Sequence, residues 1–160
     1  MSGAGTGAGS AGDTVVERRH GEYLISSDPA RVDATAVHAF LAASYWAEGI
    51  PLETVRRSIE HSLCFGVYQG ERQVGFARVI TDRATFAYLA DVYVLDAHRG
   101  RGLAKVLVET IMGHPALQGL RRFSLVTRDA HGLYEKFGFS VVAEPGRHME
   151  IARPGLYRSP

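Results

Sequence analysis

The chain has 160 residues, a formal net charge of +1 and a single cysteine, Cys64. That length accommodates one domain with a full core and is too short for two. The balanced charge argues against a nucleic-acid binder, the lone cysteine excludes an internal disulfide framework or cysteine metal cluster, and no apolar run approaches the roughly 18 residues a membrane span needs. The N-terminus has neither a basic segment nor an apolar core, so no secretory signal is expected and a reducing cytoplasm is the expected setting. Residues 1–14 are Gly/Ala/Ser/Thr-rich and cannot bury enough surface to offset their ordering entropy; they are expected as a disordered tail ahead of one domain over 15–160. Glu22–Ser26 reads as a strand. Asp28 followed by Pro29 reads as the cap and first position of a helix whose Val32, Ala36, Val37, Phe40 and Leu41 share one face. Ser44–Pro51 is a loop. A second helix turns Leu52, Val55 and Ile59 inward and sets Glu53/Arg57 and Arg56/Glu60 as i,i+4 pairs outside. Leu63–Tyr68 and Gln73–Thr81 are strands of a hairpin about Gln69–Arg72, and a turn through Asp82 and Arg83 leads to a strand from Thr85 to about Leu95. A helix to about Met112, a strand over Arg121–Val126, a short helix through Tyr134 and a final hairpin (Phe139–Val142, His148–Ile151) complete the order βααβββαβαββ.

The stretch from Asp91 to Val108 carries the clearest chemistry. An apolar strand runs into the basic turn Arg99-Gly100-Arg101-Gly102-Leu103-Ala104 and then into a helix. Gly100 and Gly102 let the backbone approach a ligand, and the first N–H groups of the helix have no intrahelical acceptor. The helix dipole favours an anion there, and Arg99 and Arg101 add fork-shaped cations suited to phosphate oxygens. Lys105 stands where a third glycine would complete GxGxxG, and no Gly-Lys-Ser/Thr follows, so neither a Rossmann turn nor a Walker loop fits. The segment Thr127–Phe139 reads as a strand end followed by a short helix. Thr127 or Asp129 can cap it, Leu133 and Phe137 line it at i,i+4, and Gly138 and Phe139 suit the left-handed position and the apolar contact beyond it.

The turn resembles the acetyl-CoA signature of the GNAT superfamily of N-acetyltransferases, Arg/Gln-x-x-Gly-x-Gly/Ala. The second segment resembles the late GNAT motif through Ala130, Tyr134, Gly138 and Phe139. The resemblance covers roughly Glu22 to Ile151. It implies an α/β (α+β) domain with a mixed, largely antiparallel central sheet flanked by helices, in which the fourth and fifth strands of the predicted order splay apart. It further implies that acetyl-CoA lies in the gap. Val92, Tyr93 and Val94 would pair with the pantetheine arm, residues 99–104 would hold the pyrophosphate, and Thr127 stands where many members carry an Asn that holds the CoA arm. Tyr134 would be the general acid for the leaving thiolate, and the backbone N–H near Val92 would face the oxyanion.

The general base has several candidates. The resemblance points to Asp91, although strict alternation turns it away from Tyr88 unless a bulge intervenes. A water chain to Asp91, Glu48 or His131 is the other route. Tyr45, Trp46 and Glu48, in the loop between the first two helices, together with Tyr88 and His131, are candidate acceptor contacts; aromatic walls and an acid suit a cationic amine. Cys64, in an apolar strand without a base partner, reads as a small buried hydrophobe rather than an acyl carrier. The expected activity is acetyl transfer to a primary amine in a ternary complex, with a small-molecule acceptor and no metal. Alternatives are a protein or peptide acceptor and a catalytically silent acyl-CoA sensor. The resemblance leaves a homodimer open.

Overall fold

Glu17–His20 (β1) and Tyr23–Ser26 (β2) pair antiparallel around Gly21, whose φ of 58° the tight turn requires. The computed structural model describes residues Gly12 to Arg158. Of the expected tail, residues 1–11 lie outside the described residues. Asp13 and Thr14 are tied to the domain: Arg83 clamps the Asp13 carboxylate at 2.6 and 2.8 Å, and the Thr14 carbonyl accepts from His114 Nε2 at 2.8 Å. The side-chain bond from Arg83 holds the Asp13 carboxyl below its ordinary range.

After β2 the single expected helix is divided. Asp28 caps a 3₁₀ turn over Pro29–Arg31, and Asp33 then caps α1, Ala34–Ala42, by accepting from the Ala36 N–H at 3.0 Å. Two acidic caps five residues apart each start a helical turn, and Val32 between them is extended. Helix α2 spans Leu52–Glu60 with Val55 fully buried. Strands β3 (Leu63–Gln69), β4 (Arg72–Thr81) and β5 (Phe86–Val94) form an antiparallel meander. Helix α3 covers Leu103–Met112, β6 Arg122–Leu125 and α4 His131–Glu135. The sheet order follows the chain, β1-β2-β3-β4-β5-β6, and only β5 and β6 run parallel. Among the described residues no helix is long and apolar enough to cross a membrane.

The mixed, largely antiparallel sheet flanked by helices is as expected, but its composition differs at both ends. The βααβββαβαββ order gains a strand at β1 and loses the final hairpin. Among the described residues, 139–142 and 148–151 join no strand ladder, and Val141, Met149 and Ile151 are 73%, 97% and 85% exposed. Their alternation is strand-like, but β6 is only four residues long and leaves them no ladder in register.

Alternation on the strands builds two cores. Phe65, Val67, Val79, Ala87 and Leu89 point to α3, which buries Leu103, Leu107 and Ile111 against them. Cys64, Phe76 and Tyr93 point to α1 and α2, with Val37, Leu41 and Val55. Each fully buried aliphatic side chain contributes about 1.5–3 kcal/mol of transfer free energy.

The C-terminal segment returns across the α1–α2 loop. A Cβ placed on Gly49, at φ 82°, would lie 2.5 Å from the Tyr157 carbonyl oxygen. Gly49→Ala is therefore expected to cost about 1–3 kcal/mol in backbone strain and to loosen residues 151–158. A drop of several degrees in Tm with faster proteolysis of that segment is the expected reading, and an unchanged Tm would refute the contact.

Candidate active site

β5 and β6 pair from Phe86↔Arg122 to Leu89↔Leu125, where the ladder stops although β5 continues to Val94. Beyond Leu89, β5 has a neighbour on one side only. The gap widens into a cleft of about 1400 Å³ walled by Phe40, Tyr45 and Trp46, by Ala90–Tyr93, and by the loop from Leu125 to Ala130 with Tyr134 behind it. These are the strands expected to splay.

A bulge sets what β5 shows to this cleft. Phe76 opposes Tyr93 and Arg78 opposes Ala90, so two steps on β4 span three on β5. The surplus falls at Asp91 and Val92, and Asp91 takes φ 55°. Strict alternation would have turned Asp91 away from Tyr88; the bulge brings Tyr88, Ala90 and Asp91 to the same cleft. It also flips the strand's later half. Tyr93 therefore faces α1, where its ring stacks on Phe40 at 3.8 Å, while Leu89 and Val94 face α3.

Asp91 is held on both oxygens. Arg78 Nε donates to Oδ2 at 2.9 Å and Trp46 Nε1 donates to Oδ1 at 3.0 Å. Arg78 also bonds the Ser62 hydroxyl at 3.2 Å. The carboxylate thus ties β4, β5 and the α1–α2 loop together at the mouth of the gap. Trp46 is 43% exposed. Sequence reasoning missed Arg78, although a cation within the apolar run of β4 asks for a buried partner.

At the far end of β5 the Gly-rich turn takes the expected form. Gly102, at φ 75°, precedes α3 and no side chain caps the helix. Gly100 is at φ 77°, and no atom lies within 4 Å of a Cβ built there; at Gly102 the nearest is His20 Nε2 at 3.8 Å. The space above the turn is open and the glycines are required by their backbone conformation. The side chains of Leu103 and Ala104 pack against the core, so these two residues present their backbone N–H groups at the turn; of residues 99–104 only Arg99 lines the cleft itself. The two arginines diverge. Arg99 lines the cleft, donates from Nε to the Val94 carbonyl at 3.2 Å and pairs with Asp96 at 3.0 Å. Arg101 turns to the β1–β2 hairpin: its guanidinium is 3.5 Å from Glu22, and its carbonyl accepts from His20 Nε2 at 2.9 Å. Tyr23 and His98 pin the turn from below through a buried 2.8 Å hydrogen bond.

The other wall is α4. The Thr127 hydroxyl oxygen accepts from the Ala130 N–H at 3.0 Å, so Thr127, not Asp129, organises the start of this helix. Its end is a Schellman closure: the Phe139 N–H reaches the Tyr134 carbonyl at 3.3 Å and the Gly138 N–H reaches Glu135 at 3.1 Å, with Gly138 at φ 93°. Phe139 then packs edge-on against Tyr134. This closure presents the Tyr134 ring to the cleft, with its side chain buried, and that burial pushes its pKa up.

The remaining candidates separate. Tyr88 lines the cleft half-buried, its pKa raised first by burial and then by Asp91 and Glu150. Tyr45 is 59% exposed and stacks under the Arg128 guanidinium at 4.0 Å. Glu48 pairs with Arg158 at 2.8 Å in an adjoining pocket formed with residues 151–158. His131 is exposed and outside the cleft lining. Cys64 lies under α2, and burial pushes its thiol up to about 12. Cys64→Ala is expected to leave kcat within about twofold, and the native thiol is expected to resist iodoacetamide at pH 8; rapid alkylation with loss of turnover would restore an acyl-carrier role.

The model of the acetyltransferase (GNAT) family matches residues 34–139. A candidate acetyltransferase of Gibberella zeae is 35% identical over 140 residues, 72% of this chain and 77% of its own. Among solved structures, a GNAT-family protein of Xanthomonas campestris pv. campestris superposes with a TM-score of 0.84 at 52% identity, covering 88% of this chain and 99% of its own. A Clostridium acetobutylicum acetyltransferase solved with acetyl-CoA shares the fold at a TM-score of 0.59 and 16% identity, over 81% of this chain and 94% of its own.

Proposed function

Since the chain belongs to the GNAT acetyltransferase family, and acetyl transfer is therefore its chemistry, we propose that the donor is acetyl-CoA and the acceptor the primary amine of a small molecule. The observation that carries this reading is the shared cleft. The unpaired half of β5, Arg99 at the foot of the Gly-rich turn and the buried Tyr134 line one cleft, and the uncapped start of α3 follows two left-handed glycines beyond Arg99. The cradle fits the donor. A Cβ at Gly100 or Gly102 would occupy the open space that a pyrophosphate needs, and the first N–H groups of α3 and Arg99 are donors of the right sign. Bound there, acetyl-CoA would supply a thioester whose acetyl group passes to the amine as C–N forms and C–S breaks.

This chain's own residues then have distinct tasks. Val92 and Tyr93 offer a backbone edge beyond the end of the β6 ladder to an extended ligand, as an added strand would use it, while the Val94 carbonyl is taken by Arg99. The Tyr134 hydroxyl, protonated at neutral pH as a tyrosine ordinarily is, gives its proton to the departing sulfur. Asp91, held by two donors, is a positioning residue for the acceptor mouth, and the amine's proton leaves through water in the cleft. Thr127 shapes the α4 wall through its bond to Ala130. Tyr45, Trp46 and Tyr88 border the acceptor space. Glu48 and His131 lie away from the cleft lining, and neither is given a role in proton transfer.

The test is thiol release from acetyl-CoA against a panel of amines, amino acids, polyamines and peptides. Acceptor-dependent release supports the proposal and identifies the acceptor class. Tight CoA binding without release on any acceptor favours the silent sensor, and no CoA binding overturns both. The cytoplasmic setting and a homodimer stay with this proposal as expectations.

A further inference from the structure

The charges lining the cleft distinguish between two kinds of amine acceptor, given the acetyl-transfer reading above. The sequence offers Asp91 and Glu48 as anions for a cationic amine, but Asp91 is neutralised by Arg78, with Trp46 on its other oxygen, and Glu48 by Arg158 outside the cleft. Asp33 caps α1. Of the other lining cations, Arg78 is paired, Arg99 stands at the phosphate turn, and Arg72, at the start of β4, lies over no aromatic ring among the described residues.

Arg128 is different. Its guanidinium lies 4.0 Å above the Tyr45 ring, and no carboxylate is within 4.0 Å of its nitrogens among the described residues. Stacking on a ring uses the guanidinium face and leaves the N–H edge in the plane suited to a two-point bond with a carboxylate. Tyr45 meets Trp46 edge-on at 5.1 Å, and Trp46 is tilted against Phe40 at 6.1 Å, so an aromatic shelf leads from Arg128 into the gap. Asp129, exposed on the same loop, sets an acid beside the cation. A site with one cation over an aromatic shelf and an acid next to it suits a molecule that carries both signs.

We infer that the acceptor is an amine bearing a carboxylate on an apolar or aromatic body, and that Arg128, seated on Tyr45, is the residue that selects it.

Steady-state kinetics on matched pairs test this: phenylalanine against 2-phenylethylamine, and 4-(aminomethyl)benzoate against benzylamine. The wild type is expected to favour the acid-bearing member of at least one pair by about 10-fold or more in kcat/KM. Arg128→Gln is expected to abolish that preference, mainly through KM, with Arg128→Lys restoring part of it. A preference for the neutral amines, or one that survives Arg128→Gln in a protein of unchanged Tm, overturns the inference. If no amine is acetylated, the acetyl-transfer reading is what fails. The inference is then read by calorimetric titration of phenylalanine and 4-(aminomethyl)benzoate onto the CoA-saturated protein. Binding that Arg128→Gln removes upholds it, and absence of binding overturns it.

Discussion

Tyr134→Phe is expected to lower kcat by about 10²-fold or more while leaving the affinity for acetyl-CoA within a few-fold. The substitution removes one oxygen and keeps the ring, so the edge-on contact with Phe139 and the Schellman closure survive. The pH profile separates a proton donor from a packing residue. Burial raises the hydroxyl's pKa, so the donating form persists past the ordinary tyrosine value of about 10, and any alkaline loss of rate due to this group lies above it. The Phe variant should lack that limb. If kcat were unchanged at every pH while the donor still bound, Tyr134 would be a wall and nothing more.

Gly102→Val is expected to weaken CoA binding by more than about 100-fold. Two effects act together. A β-branched residue at φ 75° carries backbone strain of about 1–3 kcal/mol, and its methyl groups enter the open space above the α3 N-terminus. Strain alone can be measured elsewhere: Gly70, at φ 59° in the β3–β4 turn, also has no atom within 4 Å of a built Cβ. Gly70→Val should lower Tm comparably and leave the calorimetric Kd unchanged. Normal affinity in Gly102→Val would remove the phosphate cradle from the account.

The parts of this molecule that are local in sequence were legible before the structure. Gly100 and Gly102 announce a left-handed turn because no other residue adopts it cheaply, and Gly138 with Phe139 announces the α4 closure for the same reason. Helix α2 follows from its apolar spacing. What depends on distant partners was not legible. The bulge at Asp91 is a property of the β4–β5 register, and nothing in the run Phe-Ala-Tyr-Leu-Ala-Asp-Val says where the extra residue falls. The pairing of Arg78 with Asp91 joins two strands, and that of Glu48 with Arg158 joins the α1–α2 loop to the C-terminal segment. Both remove acids from the candidate site that composition alone had left available. The final hairpin failed for the opposite reason: its alternation is genuine, but β6 offers no ladder in register to receive it.

The bulge also governs how such a strand tolerates change. Because the extra residue at Asp91 resets the alternation, Tyr88 and Ala90 before it and Val92 to Val94 after it are independent in facing. On the function proposed above, substitutions in the first group would retune which amine enters and leave unchanged the backbone edge that the second group would offer the donor. The strand therefore behaves as two cassettes joined by a hinge of one residue, and a library randomised at Tyr88 and Ala90 is where new acceptors should be sought.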